Sequence, residues 1–222
     1  MKRIVAAFTF LIMSQASAQN SIRYLALGDS YTIGEKVEEK ESWPFQLTAY
    51  LTSEGFKIQN PEIIAVTGWR TDELMDSIAS RHYQSNSFDL VSLLIGVNNQ
   101  YQKKPFKTFK TEFEDLLQTA ISLSSNDEKG VFIVGIPDYS LSEFSKDKKL
   151  KRVSSRLKRY NRYIKKMSQR YEVAFYPLQK LSKPLHKDKG MLAEDLLHPS
   201  GEQYKAWVDS FKKQVAEQLK SF

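Results

Sequence analysis

Three residues of this chain have the types and neighbours needed to move an acyl group. Ser30 closes the run Tyr24-Leu25-Ala26-Leu27-Gly28-Asp29-Ser30, in which an apolar segment stops at a glycine, an aspartate and a serine. Far along the chain, Asp195-Leu196-Leu197-His198 sets an acid and a base three residues apart. A serine hydroxyl becomes a nucleophile when a base takes its proton, and an imidazole serves best when a carboxylate fixes its tautomer and offsets its charge. Ser30, His198 and Asp195 supply those roles. Gly-Asp-Ser alone is also ordinary turn chemistry, so the pair at 195 and 198 carries the case. Of the three histidines, His82 follows a predicted helix in a polar stretch and His186 lies among lysines. Both are expected on the surface, which leaves His198 as the base.

Such residues need rigid elements to hold them. A short apolar run ending in glycine reads as a buried parallel strand, and open α/β sheets build their sites at the carboxyl edge of such strands. Further strands are expected at 63–66, 90–95, 131–134 and 173–176. Helices are expected from 43 to about 54, from 71, from about 108 to 123, over 150–171 and over 201–219, on apolar residues at helical spacing. The alternation predicts an α/β domain, three-layer and flavodoxin-like, with a five-stranded parallel sheet covered on both faces. Thr67-Gly68-Trp69-Arg70, Gly96-Val97-Asn98-Asn99 and Ile136-Pro137-Asp138-Tyr139 then leave their strands at the same edge as Ser30.

Gly28-Asp29-Ser30, Val66-Thr67-Gly68, Gly96-Val97-Asn98-Asn99 and Asp195 to His198, in that order, resemble the sequence blocks of the SGNH hydrolases, the GDSL-type lipases and esterases. The resemblance implies a three-layer fold, hydrolysis of an ester through Ser30, and no metal or organic cofactor. It also implies that the backbone N–H groups of Ser30 and Gly68 and the side chain of Asn98 hold the oxyanion. One position departs from the pattern: the third block usually reads Gly-x-Asn-Asp, and Asn99 stands where the aspartate would be. The α/β-hydrolase alternative is disfavoured because Thr32 occupies the second glycine position of a Gly-x-Ser-x-Gly elbow.

Tyr31, Trp43, Arg70, Asn99 and Asp138 are the candidates for substrate contact. Each has a plainer alternative where its surroundings suggest one. Trp43 sits in an aromatic stripe of the kind that usually packs a core. Arg70 could hold a substrate carboxylate or phosphate, or be paired structurally. Asp138 follows a proline as turn residues do.

The 222 residues contain no cysteine, which excludes thiol nucleophiles, thiolate zinc sites and iron–sulfur clusters. Residues 1–18 combine Lys2 and Arg3, an apolar run and Ala16-Ser17-Ala18, the pattern of a signal peptide cut before Gln19. The chain is therefore expected to be secreted or periplasmic, with residues 19–222 as one domain and no membrane-spanning segment. The net charge of +7, less Lys2 and Arg3, hides a local excess: between Lys146 and Arg170 lie twelve Lys or Arg and one acid. That stretch either is a solvated face or meets an anionic surface. Export and the lack of a recognition motif argue against nucleic acid. The expected function is hydrolysis of a small or short-chain ester, an O-acetylated carbohydrate among the choices. The alternatives are a lipid esterase of the lysophospholipase type, transfer of the acyl group to a sugar, and a secreted binding protein that keeps the fold.

Overall fold

The computed structural model describes residues 21–221, so the proposed signal peptide lies outside the described residues. Five parallel strands form one sheet in the order β2-β1-β3-β4-β5. They are β1 (Tyr24–Asp29), β2 (Glu62–Val66), β3 (Leu90–Leu94), β4 (Val131–Val134) and β5 (Ala174–Tyr176). Every residue of β1, β3 and β4 is buried, as expected for strands covered on both faces.

Helices alternate with these strands: α1 (Ser30–Ile33), α2 (Trp43–Ser53), α3 (Thr71–Ser80), α4 (Val97–Tyr101), α5 (Phe106–Leu123), α6 (Glu143–Asp147), α7 (Val153–Arg170), α8 (Gln179–Leu185) and α9 (Gly201–Leu219). One layer is built on α2 against α9. Trp43 of α2 meets Phe211 of α9 with ring centroids 6.2 Å apart, and Gln46 donates to the Gly201 carbonyl at 2.9 Å. The other layer is α3, α5 and α7, where Phe109 packs on Tyr160 at 4.4 Å.

Several boundaries differ from the sequence expectation for identifiable reasons. Helix α5 starts at Phe106, two residues early, because Pro105 fits just ahead of a first turn. Helix α7 starts at Val153 rather than near Leu150, because Lys149 and Arg152 take left-handed backbone angles, φ 49° and 59°, that a helix cannot include. The polar segment after Leu178, outside the expected helices, forms α8.

In this sheet the strand order reverses between β1 and β3, the switch point where ligands of open α/β sheets sit. The exit of β1 is tight. A methyl group on Gly28 would stand 2.6 Å from the Leu94 carbonyl and inside the Thr32 hydroxyl. Gly28→Ala is expected to cost roughly 1–3 kcal/mol through overpacking, read as a lowered denaturant midpoint with unchanged slope. An unshifted midpoint would show that this contact relaxes freely.

Candidate active site

Ser30 is the first residue of α1, a single helical turn that begins directly at the end of β1. Asp29 caps that turn, its Oδ1 accepting from the Tyr31 N–H at 3.0 Å. Gly34 ends it at φ 77°, its N–H reaching back to the Ser30 carbonyl. As the first helical residue, Ser30 has an N–H that the helix itself leaves without a partner.

The opposing group arrives 168 residues later. His198 Nε2 lies 2.9 Å from Ser30 Oγ, and His198 Nδ1 lies 2.5 Å from Asp195 Oδ2. The other carboxylate oxygen, Asp195 Oδ1, accepts from the backbone N–H groups of Leu197 and His198 at 3.0 and 2.9 Å. Leu196, at φ 56°, makes the tight turn that lets one carboxylate reach both the ring and the backbone of His198. Partial burial pushes the Asp195 pKa up, but the ring and backbone hydrogen bonds outweigh it and leave the carboxyl below its ordinary range. Ser30 and His198 are 4% and 8% exposed, so the hydroxyl faces a site mostly shielded from bulk water.

Gly68 and Asn98 line the same cavity of about 240 Å³ as Ser30 and His198. Gly68 sits at φ 83° just past β2, a conformation that favours glycine, with open space where a Cβ would stand. Asn98, in α4 just past β3, donates one amide hydrogen to the Trp69 carbonyl at 2.9 Å, which fixes the side chain and leaves its second N–H available. Gln102 donates to the Gly68 carbonyl at 3.0 Å and accepts from Arg70 Nη1 at 2.7 Å. That chain of contacts holds the Gly68 peptide in place.

The substrate-contact candidates divide. Tyr31 lines the cavity, and its ring meets that of His198 edge-on at 5.6 Å. Trp43 does not: it is 0% exposed, packed among Phe132 and Phe211. Arg70 also stays off the wall, its guanidinium bound to Asp72 by two hydrogen bonds of 3.0 Å and to Gln102. Asn99 is fully buried and holds the start of α3, accepting from the Thr71 N–H at 3.2 Å and donating to the Thr71 hydroxyl at 2.6 Å. The amide can do both jobs where a carboxylate could only accept.

Asp138 is likewise structural. It accepts from the Ser140 N–H, the Ser154 hydroxyl and the Gln179 amide at 3.0, 2.5 and 3.1 Å, tying the exit of β4 to α7 and α8. His186, expected on the surface, is 1% exposed with Nδ1 2.8 Å from the Ser182 carbonyl. Burial holds its pKa below the usual value. His82 is exposed, as its sequence surroundings indicate. Gln102 and Phe144, which no sequence pattern singles out, complete the wall with Thr67, Val97, Tyr101, Tyr139 and Leu197. No cluster of His, Asp and Glu able to hold a metal ion occurs among the described residues.

Asp29 carries a titration. Burial pushes its carboxyl up to about 7, and Oδ2 accepts no hydrogen bond among the described residues. In the unfolded chain the same carboxyl ionises near pH 4, at roughly 3.9. Between those values the native state holds the extra proton, so this group makes stability fall as pH rises toward neutrality, with no further loss above it. Asp29→Asn keeps a capping oxygen and removes the titration. Denaturant unfolding at pH 5 and pH 8 is expected to show the stability difference between variant and wild type moving in favour of the variant at pH 8. An unchanged difference would mean that Asp29 is ionised throughout.

Residues 26–206 match the model of the GDSL-like Lipase/Acylhydrolase family. Among solved structures, the chain is similar to TesA with a TM-score of 0.68 and 14% identity, covering 88% of this chain and 99% of that one. It is similar to the psychrotrophic esterase EstA from Pseudoalteromonas sp. with a TM-score of 0.65 and 14% identity, covering 90% and 100% of the two chains. It is also similar to Axe2, an acetylxylan esterase from Geobacillus stearothermophilus, with a TM-score of 0.64 and 15% identity over 87% and 94%. No curated protein sequence matches the chain. At these identities the structures speak for the fold, while the family match covers most of the chain: the protein belongs to the GDSL-like lipase/acylhydrolase family and is an ester hydrolase.

Proposed function

We propose that this protein is an exported serine esterase that works through an acyl-enzyme on Ser30 and acts on a small or short-chain ester. The observation that carries the reading is the hydrogen-bonded line from Asp195 through His198 to Ser30, with links of 2.5 and 2.9 Å. Ser30 Oγ attacks the ester carbonyl carbon while its proton passes to His198 Nε2. The carbonyl electron pair moves onto oxygen, where the N–H groups of Ser30 and Gly68 and the free amide hydrogen of Asn98 receive it. Collapse of the tetrahedral adduct breaks the bond to the alcohol, which leaves with the proton from His198. Water then gives a proton to His198 and its oxygen to the acyl carbon, and Ser30 departs reprotonated as the acid is released. Asp195, kept ionised by its hydrogen bonds, balances the imidazolium in each half.

The preference for short acyl groups rests on the cavity of about 240 Å³, below the range usual for large ligands. The similarity to an acetylxylan esterase makes an O-acetylated carbohydrate the first substrate class to try. A long-chain lipid ester is the alternative. Export rests on the leader pattern of residues 1–18; no described helix is long and apolar enough to cross a membrane.

Hydrolysis of p-nitrophenyl acetate, butyrate and octanoate tests the reading. Wild type is expected to prefer the two shorter esters, Ser30→Ala to lose on the order of 10³-fold or more in kcat, and Asn98→Ala about 10²–10³-fold with KM little changed. Turnover retained by a folded Ser30→Ala protein would end the nucleophile assignment, and a preference for octanoate would end the short-chain one. Mass spectrometry of the chain recovered outside the cytoplasm is expected to show a start at Gln19; an intact Met1 there would remove the leader.

A further inference from the structure

Part of the basic charge does not lie on the outer face of α7. Lys148, Lys149 and Lys151, between α6 and α7, converge with Arg156 of α7 and with Lys103, just past α4, on a cavity of about 330 Å³. No carboxylate lines it, and none of the five cations forms an ion pair among the described residues. Tyr101 and Tyr139 line both this cavity and the one that holds Ser30. The two spaces therefore share a wall.

Other features sharpen the positive field. Helix α7 opens at this cavity with Val153, has no side chain capping its first turn and carries no acid there, so its dipole adds partial positive charge. Lys103 and Lys149 hold left-handed angles, φ 59° and 49°, which non-glycine residues adopt at a cost. Cations gathered this closely repel one another in the absence of an anion. A merely solvating surface does not need the concavity.

We infer that this second cavity is an oxyanion subsite, and that the ester hydrolysed at Ser30 carries a phosphate on its alcohol part. The apolar walls beside Ser30, among them Val97, Phe144 and Leu197, suit an uncharged acyl group. The alcohol is then the part that extends past Tyr101 and Tyr139 to the cations. Five positive charges favour a phosphate dianion over a single carboxylate. The subsite belongs to the enzyme proposed above and rests on that reading for its catalytic meaning, but not for its binding.

Two measurements on the mature chain test it. Calorimetry with glycerol 3-phosphate at low salt is expected to show binding that inorganic phosphate competes away. The double variant Lys149→Asn and Arg156→Gln should weaken it about tenfold or more, the worth of two exposed charge contacts; asparagine tolerates the left-handed angle at 149. In kinetics, 1-butyrylglycerol 3-phosphate is expected to exceed 1-butyrylglycerol in kcat/KM by about tenfold or more. That ratio should collapse toward one in the double variant and at high salt. A wild-type ratio near one with both esters turned over would overturn the proposal. So would absence of glycerol 3-phosphate binding while phosphatidylglycerol vesicles are retained, which would assign the cations to surface attachment. If neither ester is hydrolysed while p-nitrophenyl acetate or butyrate is, the phosphate-bearing alcohol is overturned and the esterase reading stands; if none of these is hydrolysed, the esterase reading fails and calorimetry alone decides the subsite.

Discussion

The site depends on the parallel pairing of β1 with β2 on one side and β3 on the other. In that register Asp29 stands opposite Val66 and Gly28 opposite Leu94. The three strands end at one level, and Ser30, Gly68 and Asn98 leave within a few residues of that level. A slip of one residue along either strand would shift its exit by about 3.3 Å, more than a hydrogen bond tolerates. The register is secured by burial: a one-residue slip would also exchange the faces of Leu25 and Leu27 with those of Tyr24 and Ala26. Core packing and catalytic alignment are thus one constraint.

Much of this order is visible in the chain itself. The apolar runs ending in Gly28 and Gly96 marked interior strands, because burial on both faces removes polar alternation and the glycines mark close contacts at the exits. Helix α9 runs from Gly201 to Leu219 as its spacing indicates, since Tyr204, Trp207, Phe211 and Val215 recur on one face. Ser30, His198 and Asp195 stood out by chemistry and come together in space.

What stayed hidden depends on contacts that no local pattern records. His186 sits among lysines, yet at the end of α8 its ring turns inward against Ser182 while Lys187 stays exposed. Trp43 and Asp138 have polar or edge positions that suit a binding wall, but the packing of α2 on α9 and the docking of α7 and α8 claim them first. Tyr101 and Phe144, 5.9 Å apart across the cavity, come from α4 and α6 and meet only in the folded chain. Asn99 shows how a departure from a family pattern can be absorbed: its amide both donates to and accepts from Thr71.

The separation of 168 positions between Ser30 and His198 gives their contact a meaning in time as well as in space. At ordinary rates of synthesis, roughly 5–20 residues per second, the nucleophile leaves the ribosome on the order of 10 s before its base. During that interval Ser30 is an ordinary serine. On the proposed mechanism the hydroxyl gains its reactivity only with the loop from Asp195 to His198 and helix α9 in place, Gln46 of α2 reaching the Gly201 carbonyl. On that mechanism a nascent chain is chemically silent, and ester cleavage reports the closure of the whole domain.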